Sequence, residues 1–397
     1  PFRARKVLKR LSSLILDASQ AVSCVDWRTL PNCSDKSVSQ RVRRGFTFPA
    51  TPFHHSKFDD MTKITLKADI EFGVVPTHIK FVGGLVPDEN GRLPRGEDGR
   101  LLSVAELAKL QKMSPVAITA AQVPHFPGVN EQDTQDLFGG IRELGMKPHM
   151  IMMVAGGNPM NPADEDSVAA MLISGLKVAQ QLGIENVSST SIEEWMKPGA
   201  PTLTGADFDA AVAQNVKLHT RVVREAEAIG SCIKAWHIEF LRGTEFMTFT
   251  DVGKAWQVAK AANEELGQPF FKILVDAAHC GDSDLSMEEN AAIVAEMAAA
   301  DGFSMFHASA KTTRGCLSTD DGWIGNMLTA CAATGKLEVV FVELFHHQDP
   351  ALEGLRVADP RHGIDTTDGR TYSEAVCDGL ADTARRINNL VARGILS

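Results

Sequence analysis

No stretch of about eighteen consecutive apolar residues occurs in this sequence, so no membrane-spanning helix is expected. There is no CxxC pair. The seven cysteines, Cys24, Cys33, Cys232, Cys280, Cys316, Cys331 and Cys377, are scattered and odd in number. That excludes a disulfide framework and reads as the reduced thiols of a cytoplasmic protein. An excess of positive charge is also missing. The net charge is −10, and residues 1–60 hold 11 Lys or Arg against 5 Asp or Glu, a balance of +6. Residues 61–397 therefore carry −16. An acidic body of this kind argues against wrapping a nucleic-acid backbone, which needs clustered Lys and Arg.

What is present is ordinary globular composition over 397 residues, 44% hydrophobic and 23% charged, enough for a large core. Three parts are expected. Residues 1–60 form a basic extension. Arg3, Arg5, Lys6, Lys9 and Arg10 precede Leu11, Leu14, Ile15 and Leu16, a targeting-like start without a clear small-residue cleavage site, or else a poorly ordered leader. Residues 61–115 read as a hairpin (ITLKADIEFGVV and THIKFVGGLV) and a turn-rich loop packing on the remainder of the chain. Residues 116–397 alternate short apolar runs with amphipathic stretches, the signature of βα units and a parallel sheet.

Strands are expected at 116–123, 149–155, 186–191, 233–241, 271–277, 303–309, 338–344 and, more weakly, 362–366. Helices are expected at 130–145, 164–182, 206–229, 251–266, 286–301, 323–334 and 373–393, with Gly145, Gly183, Gly230, Gly267 and Gly302 closing five of them. Eight strands, each followed by a helix, make an α/β chain with a closed (β/α)8 TIM barrel and an N-terminal extension.

Polar residues cluster where successive strands end: Glu239 in WHIEFL, Asp276 and His279 in LVDAAHC, His307 in MFHAS and Glu343 in VFVEL. A polar residue at the C-terminal end of a barrel strand reads as catalytic, because barrel strands converge on the active site at that face. Three carboxylates and one imidazole make a hard, oxygen-rich set suited to Mn²⁺, Mg²⁺ or Co²⁺. Such an ion can hold two adjacent oxygens of a hydroxy-ketone and stabilise the enediolate left when a C–H proton departs.

The order Glu239, Asp276, His307, Glu343, with Glu245 six residues after the first and His279 completing a DxxH unit, resembles the xylose-isomerase-like barrel superfamily. The D-tagatose and D-psicose 3-epimerase branch is the nearest, over roughly residues 116–395. The resemblance implies a divalent-metal-dependent sugar isomerase or epimerase working through a metal-stabilised enediolate. It implies one metal, Mn²⁺ first and Mg²⁺, Co²⁺ or Zn²⁺ after it, held by those four residues on strands four to seven. Glu239 and Glu343 would also be the acid–base pair, and Glu245 and His279 would hold substrate hydroxyls. The family's substrate-contacting Arg position is Thr313 here, with Arg314 one residue later. Lys311 and Arg314 are candidates for substrate charge, and Trp323 and Phe345 for pocket walls. The partner would be a small-molecule sugar or keto-sugar, with no nucleic acid and no membrane, and such barrels form homo-oligomers.

Within the same superfamily a polyol-ring (inosose) dehydratase or isomerase and a keto-glycoside lyase share the enolisation step. An endonuclease IV-like enzyme shares the ligand order but needs three zinc ions and extra His ligands. The strand NVSSTS has no His, His149 starts its strand, and no Asp-x-His follows His307. A non-catalytic binding barrel would have little reason to keep all four ligands. His237, inward like Glu239 but one layer deeper, is expected to be a hydrogen-bonded core histidine.

Overall fold

A computed structural model describes residues 63–77, 84–154, 156–197, 199–243, 245–310, 322–345, 357 and 370–397. Eight parallel strands close a barrel in sequence order: β1 Glu71–Thr77, β2 Ala120–His125, β3 Lys147–Met152, β4 Asn186–Ser189, β5 Ala235–Glu239, β6 Phe271–Asp276, β7 Phe303–Ala308 and β8 Val339–Phe345. The α-helices among the described residues include α1 Leu102–Met113, α2 Glu131–Glu143, α3 Glu165–Gln181, α4 Gly205–Glu225, α5 Val252–Leu266, α6 Ala277–Asp282, α7 Met287–Ala299, α8 Trp323–Ala333 and α9 Tyr372–Ala392. No helix among the described residues is long and apolar enough to cross a membrane.

The expected barrel is present, but its strand count begins earlier. The segment read as a hairpin contributes β1, which pairs in parallel with β8 on one side and β2 on the other. The stretch 116–123 feeds the second strand, and Leu102–Met113 is a helix that the turn-rich reading of this region passed over. Barrel closure explains the correction: β1 has neighbours far away in sequence, so local alternation cannot tell a hairpin arm from a first barrel strand. Gly73 marks the spot. A Cβ there would lie 2.0 Å from the Ala120 carbonyl oxygen, so the close approach of β1 to β2 requires glycine. The expected strand at 362–366 lies outside the described residues.

Alternation along each strand builds two layers. Val75, Ala120, Leu274, Met305, Val339 and Phe341 fill the barrel interior. Residues of the other parity, such as Phe72, Val74, Trp236, Ile238, Phe271, Ile273 and Phe306, pack outward with the helices in one continuous core. The helix ends are chemically specified. Asn130 and Asp251 cap α2 and α5, and capping boxes (Ser286 with Glu289, Thr371 with Glu374) start α7 and α9. Gly145, Gly183 and Gly267 take positive φ after their helices as expected. After α4 Glu227 takes positive φ first and the predicted Gly230 follows with positive φ of its own; after α7 the left-handed residue is Asp301, one position before the predicted Gly302. Gly302 serves another purpose: a Cβ there would strike the Trp256 ring at 2.3 Å. Three hydrogen bonds fasten α9 to β8 and to the segment leading into β1: Tyr372 Oη donates to the Leu344 carbonyl at 2.7 Å, and the Asn388 side chain bonds the backbone at Thr65 and Lys67.

Candidate metal centre

Inward parity continues to the C-terminal mouth, where the inner positions turn polar. On β5 the inner residues are His237 then Glu239, on β6 Leu274 then Asp276, on β7 Met305 then His307, and on β8 Phe341 then Glu343. Asp276 stands beside His307 in the β6–β7 register. Glu239, Asp276, His307 and Glu343 each offer a ligand atom, and the four atoms lie within 4.8 Å of one another. All four residues are buried. The sequence placed them on strands four to seven; counted from the true first strand, they occupy β5 to β8.

His307 is the hub. Its Nδ1 lies 3.2 Å from Glu343 Oε2, 3.8 Å from Asp276 Oδ2 and 3.9 Å from Glu239 Oε1. Its Nε2 points the other way, 2.8 Å from Gln122 Oε1. Asp276 also caps α6, accepting the His279 backbone N–H at 2.9 Å through Oδ1. That bond fixes the carboxylate at the strand end and begins the short helix that carries His279. The donor set fits a divalent cation. Three carboxylates buried this close repel one another, by about 4 kcal/mol per pair at about 4 Å and an effective dielectric of about 20. A dipositive ion at their centre reverses the sign of that interaction, and bonds of about 2.1 Å need only a small contraction of the ring.

Around the ring, His279 Nδ1 lies 3.4 Å from Glu239 Oε1, and its Nε2 lies 4.0 Å from Glu245 Oε2. Glu245 is buried and accepts from Trp195 Nε1 at 3.3 Å. Arg242, also buried, stands 3.8 Å from Glu245 and 3.2 Å from Asp282. The loop bearing Glu245 is clamped by Glu193, whose buried carboxylate accepts the backbone N–H groups of Met247, Thr248 and Phe249 at 2.8–3.2 Å. The predicted Glu245 and His279 are therefore brought to the ligand ring. Trp323 is the first residue of α8 and is buried, on a helix that packs against α6. Phe345 ends β8. Lys311 and Arg314 lie outside the described residues.

Three nearby residues escaped the sequence reading: Gln122, Arg242 and Trp195. A polar amide inside the apolar run VAITAAQV was the available signal for the first, and the Arg inside EFLRGTE for the second. Trp195 sits in an irregular stretch with no pattern to flag it. His237 is the core histidine expected: fully buried, with Nε2 2.9 Å from Ser304 Oγ, and held neutral by burial, which pushes its pKa down to about 3. His149 lies away from the ligand ring, its Nε2 2.6 Å from the carboxylate of Glu71 at the start of β1.

No family profile matches the sequence, and no curated protein matches it. Solved structures do. The chain is similar to D-psicose 3-epimerase from Clostridium cellulolyticum H10, determined with D-tagatose (13% identity, TM-score 0.58, covering 80% of this chain and 99% of that one). It is similar to a D-allulose 3-epimerase from Methylomonas sp. in complex with D-allulose (14%, 0.59, 82% and 99%). It is also similar to a proposed sugar phosphate isomerase/epimerase from Anabaena variabilis ATCC 29413 (16%, 0.62, 81% and 98%). At these identities the likeness shows the fold. The chain has the closed (β/α)8 barrel of these sugar epimerases, spanning nearly their whole length.

Proposed function

We propose that the protein is a divalent-metal-dependent isomerase or epimerase of a ketose or related keto-sugar, acting by proton transfer at the carbon beside the carbonyl. The observation that carries this reading is the ring of Glu239, Asp276, His307 and Glu343 at the C-terminal ends of four consecutive barrel strands. A barrel whose solved relatives in fold include sugar 3-epimerases supports it.

Glu239, Asp276, His307 and Glu343 would hold one ion, Mn²⁺ first, with Mg²⁺, Co²⁺ or Zn²⁺ as alternatives. When bound, it supplies Lewis-acid polarisation of adjacent substrate oxygens. The rest falls to side chains. Glu239 or Glu343 removes the proton from the carbon next to the carbonyl, and the other returns a proton on the opposite face, which inverts that carbon. His279, 3.4 Å from Glu239, and Glu245 bind substrate hydroxyls and keep the sugar between the two carboxylates. Arg242 and Trp195 hold Glu245 in place. Lys311 and Arg314 are assigned to substrate charge and Trp323 to the pocket wall. The protein acts on small sugars in the cytoplasm as a homo-oligomer.

The test is exchange with solvent. A panel of ketoses is incubated in D₂O with the Mn²⁺-loaded protein and followed by NMR and chromatography. Deuterium at the carbon beside the carbonyl together with an epimeric product is expected, and Glu239→Gln and Glu343→Gln should each lower turnover by about 10²–10⁴-fold. Loss of water or cleavage of a glycoside would reassign the chain to a dehydratase or lyase sharing the same enolisation. A metal-loaded protein that binds these sugars and exchanges no carbon-bound proton would refute the proposal.

A further inference from the structure

The imidazole of His307 has two nitrogens, and only one can face an ion. Its orientation is set from behind, by an amide from across the barrel. Gln122 on β2 is fully buried, and its side chain reaches β4 and β7. Its Nε2 donates to Ser188 Oγ at 2.9 Å and lies 3.4 Å from Met305 Sδ. Ser188 Oγ has the Met150 carbonyl at 3.5 Å as an outlet for its own hydrogen while it accepts from Gln122. Both amide hydrogens are thereby directed to β4 and β7, and a turned amide would set its oxygen 3.4 Å from the Met305 thioether, which has no hydrogen to give. Oε1 is left facing His307 Nε2 at 2.8 Å. An amide oxygen only accepts, so Nε2 must carry a proton.

We infer that Gln122 is a positioning residue for the centre: it locks His307 as the Nε2–H form with Nδ1 turned to the three carboxylates, so that the ion is bound through Nδ1. A buried amide with its valences met is common in barrel interiors. What sets this one apart is its direction, because its single acceptor serves the nitrogen opposite the ligand ring. Hydrogen-bond acceptors behind a ligating imidazole raise its basicity and fix its plane, and their loss typically weakens metal affinity about 10–100-fold. This inference rests on the proposed metal centre.

The experiment measures Mn²⁺ affinity by isothermal titration calorimetry for the wild type, Gln122→Met and Gln122→Glu, with thermal melts of each protein in chelator. Methionine fills the space without an acceptor; glutamate restores one. The expected result is a Kd for Gln122→Met at least about tenfold weaker than wild type, and recovery to within about threefold in Gln122→Glu. The metal-free melt of Gln122→Met should stay close to that of wild type while its affinity falls, since a purely structural role would move the two together; Gln122→Glu, which sets a second oxygen beside Met305 Sδ and Ser188 Oγ, is compared by affinity alone. Gln122→Met binding Mn²⁺ as tightly as wild type would overturn the inference, and so would equal losses in both variants. Wild-type protein that binds no divalent ion would instead remove the metal centre itself, a separate failure visible before any variant is made.

Discussion

Asp276→Asn should have opposite effects with and without metal. Asp276 is fully buried, and its carboxylate shares the ring with Glu239 and Glu343, all ligand atoms lying within 4.8 Å. At an effective dielectric of about 20, each carboxylate pair at that separation costs about 3–4 kcal/mol, so two pairs cost about 7 kcal/mol. Contacts of Asp276 with the His279 and His307 imidazoles offset part of this. Asparagine keeps the shape and the side-chain oxygen that accepts the His279 N–H, so the cap on α6 survives. In chelator the variant should therefore be more stable than wild type, by about 2 kcal/mol or more. With Mn²⁺ at about 1,000 times its Kd, the wild type gains about 4 kcal/mol by mass action, and the variant gains little because its affinity has fallen. Urea unfolding followed by circular dichroism, in chelator and in Mn²⁺, reads both signs. A variant that is less stable than wild type in chelator by about 2 kcal/mol would refute the reasoning. The four residues would then form a self-sufficient ion-pair cluster that needs no cation.

Other perturbations test the surroundings. Glu193→Ala strands the N–H groups of Met247, Thr248 and Phe249 beneath the Glu245 loop, and should cost about 3 kcal/mol of stability while weakening sugar binding (KM) more than metal binding; equal losses of both would contradict a role confined to that loop. Asp133 provides a pH test. Burial alone would raise its pKa, but hydrogen bonds from Arg92 and Arg95 outweigh it and hold the group at about 2, against an ordinary 3.8. A depressed carboxylate contributes stability above its unfolded pKa and loses it as pH falls through the folded value. Wild type should thus exceed Asp133→Asn by about 2 kcal/mol at pH 7, and the gap should close between about pH 4 and pH 2 in urea melts. A gap independent of pH would mean that the arginines contribute through packing alone.

The four ring residues were legible because each follows an apolar strand body and because chain order within a barrel is also spatial order. Asp276 after FFKILV has little reason to be there except chemistry, and the structure buries it completely. The first strand was not legible. β1 acquires its second partner only when β8 returns beside it, some 270 residues later, and the glycine that permits its contact with β2 looks locally like a hairpin residue. Misreading it moved every later strand number down by one while leaving the residue order intact. Gln122 and Arg242 escaped for a related reason. One supports His307 from across the barrel and the other Glu245 from three residues before it, and such roles depend on where a side chain points, which strand periodicity gives only as inward or outward. The short helix α6, begun by Asp276 itself, is a local consequence of a ring carboxylate doubling as a cap, and periodicity over so few residues carries no signal.

The most direct test is the metal content of the purified protein beside Asp276→Ala, by elemental analysis after loading with Mn²⁺ and removal of free ion. The account predicts about one divalent ion per chain, lost in the variant. No ion under any supplementation, about three zinc ions per chain, or an ion retained equally by Asp276→Ala would contradict it.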